Sequence, residues 1–286
     1  MATARGAFLT GPLASHLGID IPATAVTIAS AGPAAGPAAS SVVRLPTAGN
    51  ESSAVAAPPP PPPSSRAKVP VLMYHEIGDG PNELYVKTDD FSAQMDLLAK
   101  KGFATISVDQ LYAALVRDGP LPDRPIVLTF DDGYESVYKT VFPILKKYGF
   151  SGVFFVPTHA VGSHNRVTWD ELKEMQNGGM DIESHSDTHV DLEVISGDWT
   201  RLARETGGAR LALQSQLGTK VGYFCYPSGR YNEKVLEAIQ AAGYKGAFTT
   251  KGGWTTSSQS PLEWRRVRIN RSDALAGFAS KLGLAP

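Results

Sequence analysis

The sequence predicts an α/β fold in which a parallel sheet is wrapped by helices, either as a closed barrel or as a doubly wound open sheet. Three observations carry this expectation. From Lys68 onward, short apolar runs alternate with amphipathic stretches of helical period. Helix start and stop signals separate the two. The unusual polar residues fall at the C-terminal ends of the apolar runs: His75, Asp131 with Asp132, His185, and Pro227-Ser228-Gly229. In a parallel barrel all those ends open on one face, where catalytic groups collect, so their placement favours the barrel.

Taken in order, the run from Val69 to Tyr74 predicts the first strand. Thr88 then caps a helix whose Phe91, Met95 and Leu98 share a face and which Gly102 ends. Phe103 to Ile106 reads as a strand, and Ser107 with Gln110 forms a capping box for a helix through Val116. Ile126 to Phe130 is the next strand. It leads to a helix through Val137, Val141, Ile144 and Leu145 that Pro143 bends or shortens and Gly149 ends. Gly152 to Val156 is apolar and rich in β-formers, Thr168 and Glu171 make a second capping box, and Met180 to Glu183 is a short strand. A helix is expected from Trp199 to Leu217, a strand from Val221 to Tyr226, and a helix capped by Asn232 and ended by Gly243. Tyr244 to Thr249 and Arg266 to Ile269 give two more strands, and Ser272 opens a last helix.

Composition limits what this scaffold does. The chain has 286 residues, 42% of them hydrophobic, enough to fill a sizeable core. A net charge of -1 without any Lys/Arg block gives no attraction to nucleic acid or an anionic membrane. The single cysteine, Cys225, excludes an internal disulfide and a Cys-rich zinc module, so a metal must be held by His and carboxylate. Residues 1–68 are rich in Ala, Pro, Gly and Ser, contain Phe8 as their one aromatic, and include the proline run Pro58 to Pro63. They read as a disordered leader and proline-rich linker ahead of a catalytic domain at 69–286. Ala23 to Ala31 faintly resembles the end of a secretory signal, against which stand Asp20 and the lack of a basic cluster. No apolar run reaches the roughly 20 residues of a membrane-spanning helix.

The chemistry centres on Pro-Ile-Val-Leu-Thr-Phe-Asp-Asp-Gly, residues 125 to 133, where a β-forming run ends in two adjacent carboxylates. Like charges repel, and a carboxylate beside a hydrophobic core takes up a proton unless a cation or donors compensate it. His185 and His189, four residues apart, can offer nitrogens to one cation, and a carboxylate from another strand completes a His, His, Asp set with room for water. The two acids then divide the work: Asp132 binds the metal, and Asp131 stays ionised as general base. Gly133 lets the chain turn sharply beneath the metal. The competing readings are surface histidines for His185 and His189, and helix caps for Asp131 and Asp132.

Thr129-Phe130-Asp131-Asp132-Gly133 and His185-Ser186-Asp187-Thr188-His189 resemble the first two motifs of the polysaccharide deacetylases, the carbohydrate esterase family 4 or NodB-homology group. The resemblance implies a distorted (β/α) barrel of about seven parallel strands. It also implies one divalent metal, usually zinc with Co2+, Ni2+ or Mn2+ as alternatives, and hydrolysis of N-acetyl groups on an amino-sugar polymer. By that resemblance Asp131 is the base, and Asp132, His185 and His189 are the ligands. Val71 to Ile77 and Phe224 to Gly229 are similar to the poly-β-1,6-N-acetylglucosamine deacetylases of biofilm systems, in which the first-strand histidine, here His75, is the candidate general acid. No histidine follows His189, which favours that role.

The third family motif normally begins with an arginine that orients the base, and here Cys225 or a neighbour stands there. Arg266 and Arg268 both lie in a late strand, and Arg268 is expected to reach Asp131 instead. Tyr226, Pro227, Ser228 and Trp254 are the expected substrate contacts, with Tyr134 and Trp264 as further aromatic candidates and the amide near Ser228 as an oxyanion donor. His159 and His164 are expected in a solvated loop or lid. The expected partner is an N-acetylated polysaccharide or oligosaccharide: poly-N-acetylglucosamine first, peptidoglycan or chitin oligomers as alternatives. An enzyme on such a polymer is expected outside the cytoplasm, as a monomer. A carbohydrate-binding domain that has lost turnover is the reading from another functional class.

Overall fold

In a computed structural model that describes residues 67–284, seven parallel strands close into a barrel. With one added edge strand, the sheet comprises β1 (Val71–Tyr74), β2 (Ala104–Thr105), β3 (Pro125–Phe130), β4 (Val153–Val156), β5 (Asp181–Ser184), β6 (Tyr223–Cys225), β7 (Gly246–Gly252) and β8 (Trp264–Arg268). Neighbours run β1-β8-β7-β6-β5-β4-β3, and β3 returns to β1 to complete the ring, with β2 added beside the start of β3. Closure removes the free sheet edges that an open sheet would present. Residues 1–66 lie outside the described region, and with them the proline run, the leader and the export-signal expectation. Among the described residues no helix is long and apolar enough to cross a membrane.

The period of two along each strand sorts side chains into two separate clusters. Leu72, Tyr74, Leu128, Phe130, Phe154, Ile182 and Phe224 pack outward under the helices. Val71, Val127, Val153, Phe155, Tyr223, Cys225, Phe248 and Trp264 form the second cluster, the barrel interior. On β3 the inward parity is Val127, Thr129 and then Asp131, so the first carboxylate of the pair is carried into the interior, 2% exposed. Asp132 takes the opposite parity and a left-handed φ of 74°, which turns its side chain to the mouth. Gly133 follows at φ 63°, and a Cβ there would stand 3.1 Å from Val156 Cγ1.

The helices are α1 (Thr88–Lys100), α2 (Val108–Arg117), α3 (Phe142–Tyr148), α4 (Trp169–Asn177), α5 (Trp199–Ala203), α6 (Ala209–Leu217), α7 (Glu233–Ala241) and α8 (Ala274–Lys281). Both capping boxes form, at Ser107 with Gln110 and at Thr168 with Glu171, and the Asn232 side chain accepts from the Val235 N–H. Four local expectations change. Thr88 is the first helical residue rather than the cap, a place held by Lys87. The helix expected from Val137 divides into a π-helical turn, Val137–Val141, and α3, with Pro143 in the first turn of α3. The helix expected over Trp199 to Leu217 is α5, a second π-helical segment, Arg204–Gly208, and α6. The last helix begins at Ala274 after a 3-10 turn at Arg271–Asp273, not at Ser272.

Candidate active site

The mouth of the barrel collects residues from strands far apart in sequence. His75 follows β1, Asp131 and Asp132 follow β3, His185 follows β5, and the 3-10 turn Pro227–Gly229 follows β6. Asp132 Oδ1 lies 3.3 Å from His185 Nε2 and 3.2 Å from His189 Nε2. The two imidazoles meet edge to face at 4.7 Å between centroids. Zinc–nitrogen arms of about 2.0–2.1 Å at tetrahedral angles separate neighbouring donors by about 3.3 Å, so this spacing fits one cation. His185 Nδ1 is 2.7 Å from the Cys225 carbonyl, to which it donates, leaving Nε2 as the lone-pair nitrogen that faces Asp132.

A second set of possible donors, Asp131, His185 and Cys225, lies equally close together. It does not suit a cation. Both Asp131 oxygens are held by Arg266, whose charge opposes a second positive group, and burial pushes the Cys225 thiol up so that it stays neutral. The residues that fit a divalent ion are therefore Asp132, His185 and His189.

Arg266, not Arg268, reaches Asp131. Its Nη1 and Nη2 donate to the two carboxylate oxygens at 2.8 and 2.7 Å, Nη1 also to Thr129 Oγ1 at 2.9 Å, Nε to the Thr249 carbonyl at 3.0 Å, and Nη2 to Cys225 Sγ at 3.0 Å. The two arginines share a face of β8, and register decides between them. Arg266 is fully buried in the barrel while Arg268 sits one step further along, half-exposed. Burial works to raise the Asp131 carboxyl, and the Arg266 charge and hydrogen bonds outweigh it, so the group is held below the usual carboxylate range. For Asp132, burial again opposes ionisation and the bonds to His185 and His189 overcome it.

His75 lies over the same carboxylate, its Nε2 4.0 Å from Asp131 Oδ2. Burial lowers its pKa, against the pull of the Asp131 and Asp132 charges, and its buried Nδ1 has no partner among the described residues.

Of the expected substrate contacts, Tyr226 does not line the mouth. It is fully buried, its hydroxyl donates to the Leu262 carbonyl at 3.0 Å, and its ring stacks on Tyr231. Trp264 is likewise core. Trp254 is drawn away by a short antiparallel pairing of Thr255–Thr256 with Lys68–Val69, and Lys68 Nζ lies over its ring. Lys68 lies three residues before the start of β1 and His75 directly follows its end, so the ring sits toward the far end of that strand. Ser228 is exposed on its turn at φ 57°, while Pro227 is buried beneath.

A cleft of about 540 Å³ opens beside the triad, lined by Asp132, His189, Tyr134, His159, His164 and Arg166 among others. His159 and His164 thus stand on its wall. Arg166 was not legible as a site residue: its Nη1 donates to the Asp132 carbonyl at 3.1 Å, and its guanidinium stacks 4.0 Å over Tyr134. Nothing in the loop before the Thr168 cap signals that role.

Known proteins resemble this chain over most of the described residues. A family model described as polysaccharide deacetylase matches residues 118–247. YxkH of Bacillus subtilis (strain 168), which carries a polysaccharide deacetylase name, is 32% identical over 213 residues, covering 74% of this chain and 75% of that protein. The chain belongs to the polysaccharide deacetylase family. As such a deacetylase it is a hydrolase, and two further proteins are similar to it. The poly-beta-1,6-N-acetyl-D-glucosamine N-deacetylase of Escherichia coli (strain K12) is 26% identical over 255 residues, 74% of this chain and 38% of that longer protein. Among solved structures, the Streptococcus pyogenes deacetylase PplD in complex with acetate superposes with a TM-score of 0.72 at 28% identity, covering 78% of this deacetylase and all of that chain.

Proposed function

We propose that this deacetylase removes N-acetyl groups from amino-sugar residues of a poly-N-acetylglucosamine, with a divalent cation, zinc by its His, His, Asp donor set, held by Asp132, His185 and His189. One observation carries the reading: a three-donor cation site stands beside a separate, ionised carboxylate, Asp131, with His75 4.0 Å beyond it. Binding of sugar alone has no use for that second acid. The printed substrate of the Escherichia coli relative supports the polymer.

When bound, the cation supplies an acidified water and polarises the acetamide carbonyl. Asp131, kept anionic and fixed in orientation by two hydrogen bonds from Arg266, accepts the proton of the attacking water. His75 gives a proton to the departing nitrogen, so that the C–N bond breaks and acetate and a free amine leave. Burial lowers its pKa, and the Asp131 and Asp132 charges beside it work the other way, toward the protonated form that an acid needs. The Ser228 amide, on the turn after β6, is the proposed oxyanion donor, since the Gly229 and Arg230 N–H groups already bond within that turn. An enzyme acting on an exported polymer works outside the cytoplasm, and we place this one there.

The test is elemental analysis of the purified protein together with acetate release from N-acetylglucosamine oligomers. Supporting results are about one equivalent of metal per chain, loss of turnover on chelation, and faster release from β-1,6 than β-1,4 oligomers. Protein that takes up no metal, or that binds it and releases no acetate, overturns the reading. A preference for β-1,4 substrates moves the assignment to chitin- or peptidoglycan-type polymers.

A further inference from the structure

We propose that Glu205 is a positioning residue for metal capture: it grips the loop between His185 and His189 and holds both rings where Asp132 can share a cation with them. Glu205 is 2% exposed and lies beneath that loop. Its Oε2 accepts from the backbone N–H groups of Asp187 at 3.1 Å and Thr188 at 2.8 Å, and its Oε1 accepts from Thr188 Oγ1 at 2.6 Å. Both oxygens are thus committed to residues that lie between the two ligands in sequence.

The loop needs such a hold. Ser186 and His189 are non-glycine residues in the left-handed region, at φ 67° and 60°, where a Cβ is disfavoured. Internally the turn has one side-chain tie, from the His189 N–H to Ser186 Oγ at 2.9 Å. From the opposite side, Thr158 Oγ1 donates to Asp187 Oδ1 at 2.6 Å. The Thr158 and His159 N–H groups also donate to the Ser186 and Asp187 carbonyls at 3.2 and 2.9 Å, and Arg204 Nε to Asp187 Oδ2 at 3.3 Å. Glu205 adds the hold on the Asp187 and Thr188 N–H groups, and it does so from the π-helical segment Arg204–Gly208. A π segment inserts one extra residue, and removing it would rotate the following side chains by about 100° about the helix axis. The irregular turn between α5 and α6 is what brings a buried carboxylate up against the ligand loop.

The inference rests on the reading of Asp132, His185 and His189 as metal ligands, and its test separates the two. Zn2+ affinity is measured by competition with a chromophoric chelator for the full chain and for the variants E205Q, E205M, T188V and H189A. The melting temperature of each metal-free protein is measured alongside. Gln keeps all three contacts, because its amide oxygen can take the two N–H groups and its amide N–H can donate to the Thr188 hydroxyl; E205Q should bind within threefold of wild type. E205M, which keeps the bulk and loses the acceptors, should bind at least about tenfold more weakly. T188V should fall between them. Wild-type affinity in a folded E205M overturns the proposal, as does equal weakening in E205Q and E205M. Should E205M not fold, an unchanged T188V overturns it. A lower melting temperature with unchanged Zn2+ affinity marks Glu205 as structural only and also overturns it. A wild type that binds no Zn2+, or an H189A variant that binds it normally, removes the ligand assignment itself.

Discussion

Arg266 donates to both carboxylate oxygens of Asp131, at 2.8 and 2.7 Å, from a position 135 residues later in the chain. The pair is buried on both sides, so its geometry rather than its net energy is what matters. Removing one partner of such a pair costs about 3–5 kcal/mol because the other charge is stranded. Arg266→Ala should therefore lower the melting temperature sharply. Arg266→Lys, which keeps the charge and loses the fork, should fold and lose at least about tenfold in kcat. Arg268→Ala should be far milder. Steady-state kinetics on the three variants check this, and the reverse order would restore the expectation from sequence.

Asp131→Asn should abolish acetate release, by about 10²–10⁴-fold, while leaving metal content unchanged, since the cation site uses the neighbouring carboxylate. Metal analysis and turnover on one preparation decide it. Loss of metal would show that the two acids do not divide the work.

His75→Gln should reduce kcat by about 10²–10⁴-fold with little change in KM or metal affinity, as removal of a proton donor does. A variant that lost affinity for substrate and kept kcat would make His75 a binding residue.

Gly133→Ala should cost on the order of 1–2 kcal/mol by chemical denaturation, because φ 63° penalises a Cβ that also meets Val156. Metal affinity should fall with it, since Asp132 is the preceding residue.

Asp181, at the opposite end of β5 from His185, gives a pH prediction. Burial raises its pKa, so the folded state binds the proton more tightly than the unfolded chain. Its charge therefore costs stability at neutral pH, and the cost disappears as pH falls below the unfolded carboxylate value near 3.9. Asp181→Asn keeps an acceptor for the Val108 N–H, to which the native carboxylate bonds at 3.4 Å. It should raise the melting temperature at pH 7, with the gain vanishing toward pH 3. An unchanged or lower value at pH 7 would contradict it.

Much of the site was legible because its signals are local. Asp131, Asp132, His185 and His189 sit at the ends of strands whose apolar period is plain, and the structure brings all four together. The strand-end rule also placed His75. Arg266 was not separable from Arg268, because both lie on the same face of one strand, and the choice depends on a register that shifts between Phe248 and Gly252. Tyr226 looked available because it ends an expected strand and offers an aromatic face to a sugar ring, whereas its bond to Leu262 holds it in the core. Trp254 was misread because two-residue strands carry no periodicity. Glu205 was hidden inside a stretch that reads as one uninterrupted helix, since sequence period does not announce a π-helical turn.

Barrel closure between β1 and β8 also sets an order of events during synthesis. Asp131 leaves the ribosome 135 residues before Arg266, whose guanidinium neutralises it and which arrives with the last of the described strands. Until then a carboxyl in that interior has no guanidinium beside it, and burial favours its protonated form. Translation stopped before β8 therefore yields a chain that carries Asp131, Asp132, His185 and His189 without the guanidinium that fixes Asp131.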